Sequence, residues 1–210
     1  MGATRIMVIR HAEKPGTYGG IKYKGVTATV KKDEECLITL GWERAGGLVT
    51  LFAPPWGPKG PDLNTPQFLF AADPAETKGK KAKKKKKTDD DEPSRRPYQT
   101  ITAVSAMLEL PIDTEFKKDK YKKMADAALA CDGVVLISWQ HTDIPPMADH
   151  ILEKTGTPAG TFAIPPKWDG DRFDLVWVFD RPIGDGPITA FTQVPQLLLA
   201  GDEDTVLPTS

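Results

Sequence analysis

An arginine and a histidine close the first apolar run of this 210-residue chain. Arg5-Ile6-Met7-Val8-Ile9-Arg10 is followed by His11-Ala12-Glu13-Lys14-Pro15. Two other stretches hold the same kind of chemistry. One is Ser94-Arg95-Arg96-Pro97-Tyr98-Gln99-Thr100, and the other is Trp139-Gln140-His141-Thr142-Asp143. Each follows an apolar run and precedes a loop or a helix start. If those runs are neighbouring parallel strands, two arginines, two histidines and the amides of helix N-termini face one point. Such a point is an anion site, and planar guanidinium forks suit a phosphoryl group best. A neutral imidazole beside it can attack phosphorus.

The elements that must position these residues can be read from the pattern. Arg5 to Arg10 is a β-branched run that predicts a buried strand, Phe68 to Ala72 a second, and Gly133 to Ser138 a third, the clearest of all. Pro15 and the glycines after it predict a loop. Thr39 to Phe52 has helical spacing and is stopped by Pro54-Pro55. Pro97 to Leu108 predicts a helix with proline in its first turn. Lys120 to Cys131 predicts another, and Ile144 to Lys154 a fourth, closed by Gly156. Asp174 to Asp180 and Ile188 to Gln193 predict late, antiparallel-capable strands. Continuous apolar strands alternating with helices predict a three-layer α/β/α sandwich with a mostly parallel central sheet. The carboxyl edge of such a sheet is where ligand sites are built. There is no internal repeat. With 19 prolines and 18 glycines, long loops are expected at Pro54 to Pro66 and Pro158 to Asp171.

Four features in order, Arg10-His11-Ala12-Glu13, Thr39-Leu40-Gly41-Trp42-Glu43-Arg44-Ala45, Arg96-Pro97-Tyr98-Gln99-Thr100 and the late His141, resemble the histidine phosphatase superfamily. That group includes cofactor-dependent phosphoglycerate mutases and many phosphatases. The resemblance covers roughly residues 5–155 and implies a phosphoglycerate mutase-like fold. It also implies a phosphatase acting on a phosphomonoester through a phosphohistidine on His11. Arg10 and Arg96 would hold the phosphoryl oxygens, and His141 would complete the pocket and stabilise charge during transfer. Arg96 matches the RxxQT pattern because it stands three residues before Gln99; Arg95, Lys14 and Glu13 are candidates for further substrate contact. Neither a cofactor nor a metal is implied, and no ligand spacing in the sequence suggests a metal.

The chain departs from the best-known branches. It reads RHAEK where mutases carry RHGE or RHGQ, and its second histidine lies in a WQHT context. The loss of mutase-type residues favours hydrolysis over a phosphoglycerate mutase-type phosphotransfer. Members of that superfamily often use a carboxylate to protonate the leaving oxygen; Asp143 is the first candidate and Glu115 the second, with Glu13 or no dedicated acid behind them. His150 reads as an ordinary core or surface histidine. Glu43 and Arg44 read as a solvated helix face with ion pairs, and Trp139 as packing beside the site.

The charge balance excludes some functions. The chain holds 28 basic and 29 acidic side chains, a formal net charge of −1, with 40% hydrophobic residues. That argues for one folded domain spanning 1–210, against a generally nucleic-acid-binding surface, and against a membrane span. Cys36 and Cys131 lie far apart without metal spacing, and the sequence opens on no signal-peptide pattern, so a cytoplasmic location is expected. The average conceals a flexible Lys-rich insertion expected at 77–93. Lys78 to Glu92 carries eight lysines and four acids, leaving a body of about −5 around them. The expected partner is a small phosphorylated substrate or a phosphopeptide; oligomeric state is not readable. A non-catalytic phosphoryl-binding scaffold that acts through the basic loop is the reading from another class.

Overall fold

The computed structural model describes residues 2–55, 63–75 and 95–209. The Lys-rich insertion expected at 77–93, and residues 56–62 of the Pro54–Pro66 loop, lie outside the described residues. The elements run β1 (Arg5–Arg10), β2 (Gly16–Tyr18), β3 (Ile21–Tyr23), α1 (Thr39–Phe52), β4 (Phe68–Ala71), α2 (Arg95–Leu108) and β5 (Ile112–Asp113). A 3-10 turn at Lys118–Lys120 leads into α3 (Tyr121–Ala130), and β6 (Val134–Trp139), α4 (Ile144–Lys154), β7 (Leu175–Asp180) and β8 (Ala190–Pro195) complete the chain.

Six strands form one sheet in the order β5-β4-β6-β1-β7-β8, and β2 and β3 form a separate hairpin. β5, β4, β6 and β1 are mutually parallel. β7 runs antiparallel to both β1 and β8, so it is the one reversed strand in the sheet. Successive side chains of a strand point to opposite faces, and both faces here are apolar. Ile6 and Val8 of β1 join Met124, Ala128, Met147 and Ile151 of α3 and α4. Met7 and Ile9 join Leu48, Phe52, Ile101 and Val104 of α1 and α2. This is why β1 and β6 read as unbroken apolar runs, and it makes the molecule a three-layer α/β/α sandwich with a mostly parallel sheet.

The helix ends follow local chemistry. α4 starts with Pro145 in its first turn and stops at Gly156, whose φ of +69° favours glycine. α1 meets β1 closely: a Cβ on Gly41 would lie 2.6 Å from the carbonyl oxygen of Glu13. Any side chain at Gly41 would displace the backbone just past His11. Two differences from the sequence reading stand out. The loop expected after Pro15 contains the β2–β3 hairpin, whose three-residue strands are too short to carry a period-two signal. The short parallel edge strand β5 was hidden for the same reason.

Among the described residues, no helix is long and apolar enough to cross a membrane. Cys36 is buried, Cys131 half-buried, and both are free thiols.

Candidate functional site

Strand β1 delivers Arg10 and His11 to the carboxyl edge of the sheet, between β6 and β7. The ladder extends one step further, because the His11 backbone N–H donates to the Trp139 carbonyl at 2.9 Å. His141 follows two residues after that carbonyl. On the other side of residue 11, the N–H of Ala12 donates to Thr100 Oγ1 at 2.8 Å, and that hydroxyl donates to the Arg96 carbonyl at 2.7 Å. The N-terminal turn of α2 is thereby stitched to the end of β1, which brings Arg96 to the histidine. Gln99 has a scaffold duty: its Oε1 accepts from the N–H of Leu37, and its Nε2 donates to the Cys36 sulfur.

His11 is 6% exposed and its Nδ1 lies 2.8 Å from the Ala12 carbonyl oxygen. A carbonyl only accepts, so Nδ1 carries the proton and Nε2 keeps its lone pair. Burial holds the ring well below the ordinary histidine pKa; the charges of Arg10, Arg96 and His141 add to that, and the Ala12 bond opposes it. His141 is half-buried. Burial and then the charges of Arg10, Lys14 and Lys167 lower it to about 4. Both imidazoles are therefore neutral at pH 7.

Arg10 is fully buried and oriented on three sides. Its Nη1 donates to the carbonyls of Asp169 and Arg172 at 3.1 and 3.0 Å, and its guanidinium carbon stands 3.9 Å from the centre of the Phe173 ring. Burial depresses it to about 10, against the charges of Tyr18, Asp171 and Glu13. Its Nε and Nη2 have no partner, and neither do Arg96 Nε and His141 Nδ1, although all four atoms are buried. Buried donors are normally satisfied. Among the described residues, these four unsatisfied nitrogens accompany a neutral imidazole, an arrangement chemically suited to an anion.

The remaining sequence candidates go to other duties. Glu13 is 3% exposed, and its Oε1 accepts from Arg44 Nε and Nη2 at 2.9 and 2.7 Å. Arg44, expected on a solvated helix face, is instead buried, bridging Glu13 to Asp202 and Gln196. The reason is a partner 158 residues away that helical spacing cannot reveal. Glu43 is exposed, as expected. Arg95 donates to Asp33 at 2.6 Å. Lys14 lies beside the site, where its charge reaches His141 and its carbonyl accepts from the Tyr18 hydroxyl. Asp143 sits at the N-cap position of α4 and accepts from Gln140 Nε2. Glu115 is exposed beyond β5, a strand separated from β1 by β4 and β6. Trp139 is buried beside the site, and His150 pairs with Asp126 at 2.9 Å.

Sequence reasoning missed Phe173 and Tyr18. Phe173 stacks on Arg10 and lies 6.2 Å from the His11 ring, and Tyr18 on the hairpin lies 6.4 Å from Phe173. The alternation of aromatic and charged residues in Arg172-Phe173-Asp174 was the available signal.

No protein-family model and no curated protein sequence matches this chain. Among solved structures it is similar to the candidate phosphohistidine phosphatase SixA from Agrobacterium tumefaciens. The match covers 90% of this chain and 97% of that one, at 15% identity and a TM-score of 0.42.

Proposed function

We propose that this protein is a metal-independent phosphomonoester hydrolase working through a phosphohistidine on His11. One observation carries the reading. A neutral imidazole with Nδ1–H committed to a backbone carbonyl shares its surroundings with Arg10, Arg96 and His141, which together hold four buried nitrogens without partners. Those donors suit phosphoryl oxygens, and the two guanidinium charges supply stabilisation as charge builds in the transition state.

In the first half-reaction, Nε2 of His11 forms a bond to phosphorus as the ester P–O bond breaks. Arg10 Nε and Nη2 and Arg96 Nε hold the phosphoryl oxygens. His141 donates to a further oxygen, and the approaching dianion opposes the burial and positive charge that keep this ring neutral. The leaving oxygen takes its proton from Asp143, which lies after β6 beside β1, whereas Glu115 follows the edge strand. In the second half, water attacks phosphorus, the P–N bond breaks, and the proton lost by water returns to the Asp143 carboxylate. The order and in-line geometry are those of phosphoryl transfer in general.

The test is direct. Reaction with a labelled aryl phosphate, quenched early, should leave acid-labile, base-stable label on His11 and release free phosphate. A His11→Ala variant that turns over the same ester at the parent rate overturns the proposal. Asp143→Asn should slow alkyl esters far more than a nitrophenyl ester, whose leaving group needs no proton. A screen of phosphorylated metabolites and phosphopeptides with free-phosphate detection identifies the substrate.

A further inference from the structure

Arg10 presents only one edge to the proposed phosphoryl group. Its Nη1 is spent on the carbonyls of Asp169 and Arg172, and Phe173 fixes the plane of the guanidinium. That leaves the Nε–Nη2 edge, the fork that grips two oxygens at once, as the unpartnered side. Two of the three constraints come from consecutive residues, 172 and 173. These lie in a stretch outside regular helix and strand, ahead of β7.

The side chain of Arg172 ties that stretch down. It is 9% exposed, and every nitrogen of its guanidinium is used. Nε donates to Asp174 Oδ1 at 2.8 Å, Nη1 to Glu203 Oε2 at 3.0 Å, and Nη2 to the Thr205 carbonyl at 2.8 Å. The N–H of Glu203 returns to Asp174 Oδ2 at 2.7 Å and closes a ring of three residues. The Arg172 carbonyl also accepts from Trp168 Nε1 at 2.9 Å, so the oxygen that orients Arg10 is held from both sides.

We infer that Arg172, outside the phosphoryl pocket, is a positioning residue that sets which edge of Arg10 faces the phosphoryl group, anchored by Asp174, Glu203 and Thr205. The inference rests on the reading that Arg10 binds the phosphoryl oxygens. The guanidinium of Arg172 touches no substrate; it acts by holding the carbonyl that directs Arg10. Partners behind a binding group commonly tune it this way, because small displacements of a fork cost much of its bidentate bonding.

The test is a double-mutant cycle read by calorimetric titration of inorganic phosphate into the full chain. Arg172→Lys keeps the charge and loses the fork; it should weaken phosphate binding at least fivefold. Arg10→Lys should weaken it about thirtyfold. Together they should bind no more than twofold worse than Arg10→Lys alone, since Arg172 acts through Arg10. A core variant, Met124→Val, should leave phosphate affinity within twofold although it lowers the melting temperature. Multiplying losses, wild-type affinity in Arg172→Lys, or an equal loss in Met124→Val overturns the inference. If Arg172→Lys does not fold, Glu203→Gln replaces it in the same cycle, with an expected threefold loss. Absence of phosphohistidine with the cycle intact overturns the proposed hydrolase alone. A multiplicative cycle with hydrolysis intact overturns this inference alone, and unchanged phosphate affinity in Arg10→Lys overturns both phosphoryl binding by Arg10 and the positioning role.

Discussion

Strand β1 carries an arginine at each end, and the two are treated in opposite ways. Arg5 donates to Asp180 and to Asn64, and its side chain retains 18% exposure. Arg10 is fully buried and yet keeps two donor atoms without a partner. A buried cation ordinarily demands a counter-charge, because the desolvation cost is several kcal/mol. The fold meets that demand at one end of the strand and leaves it half met at the other. The same contrast separates the histidines. His150 leans on Asp126, whereas His11 is surrounded by positive charge and backed only by a carbonyl. The lesson is that, among the described residues, the unpartnered nitrogens of Arg10, Arg96 and His141 gather near one edge of one sheet, where an incoming dianion would complete them.

His11→Ala should produce the largest effect, cutting turnover of an aryl phosphate about 10³-fold or more, while His150→Asn leaves it near the parent value. Equal losses would erase the contrast between the two rings. Next in size is Arg44→Met, which strands Glu13 and Asp202 as buried carboxylates. It should cost about 3–5 kcal/mol in denaturant unfolding. Arg10→Ala should weaken phosphate binding about 100-fold, the loss of two charge-assisted bonds at roughly 1.5 kcal/mol each.

Acid should act on the same edge. The folded state holds His11 and His141 below the unfolded value, so unfolding takes up protons below about pH 6.5. Their contribution is fully present above that pH and is lost as pH falls toward about 4, where His141 titrates in the folded protein. Between pH 6.5 and 5 stability should therefore fall as the pH is lowered. His141→Asn should flatten the slope; an unchanged slope would show that His141 is not a source of it. The smallest effect belongs to Arg5→Ala, about 1 kcal/mol or less in stability with phosphate affinity intact.

Much of this edge was legible from sequence because β1 and β6 are buried on both faces and write themselves as apolar runs. The residues just after such runs must lie at the sheet edge, which placed Arg10, His11 and His141. Arg96 and Gln99 were legible through their spacing at a helix start. What stayed hidden depends on distant chain. Arg44 is buried by Asp202, Arg10 is stacked by Phe173, and the 168–174 stretch is held by residues 203–205. No local period encodes a partner thirty or more residues away. The β2–β3 hairpin stayed hidden for the opposite reason, since its strands are too short to show a period at all.

The place of β1 in the sheet order has a consequence for the newborn chain. Both of its neighbours, β6 and β7, come far later in the sequence. Val134, which pairs with Arg5, follows it by roughly 130 residues, on the order of 10 s at ordinary rates of synthesis. Asp180, on the other side, is 175 residues away. Until then an apolar strand ending in His11 has neither edge covered. The segment that carries the proposed chemistry is thus made long before its neighbours and is flanked on both edges only once β7 has been translated.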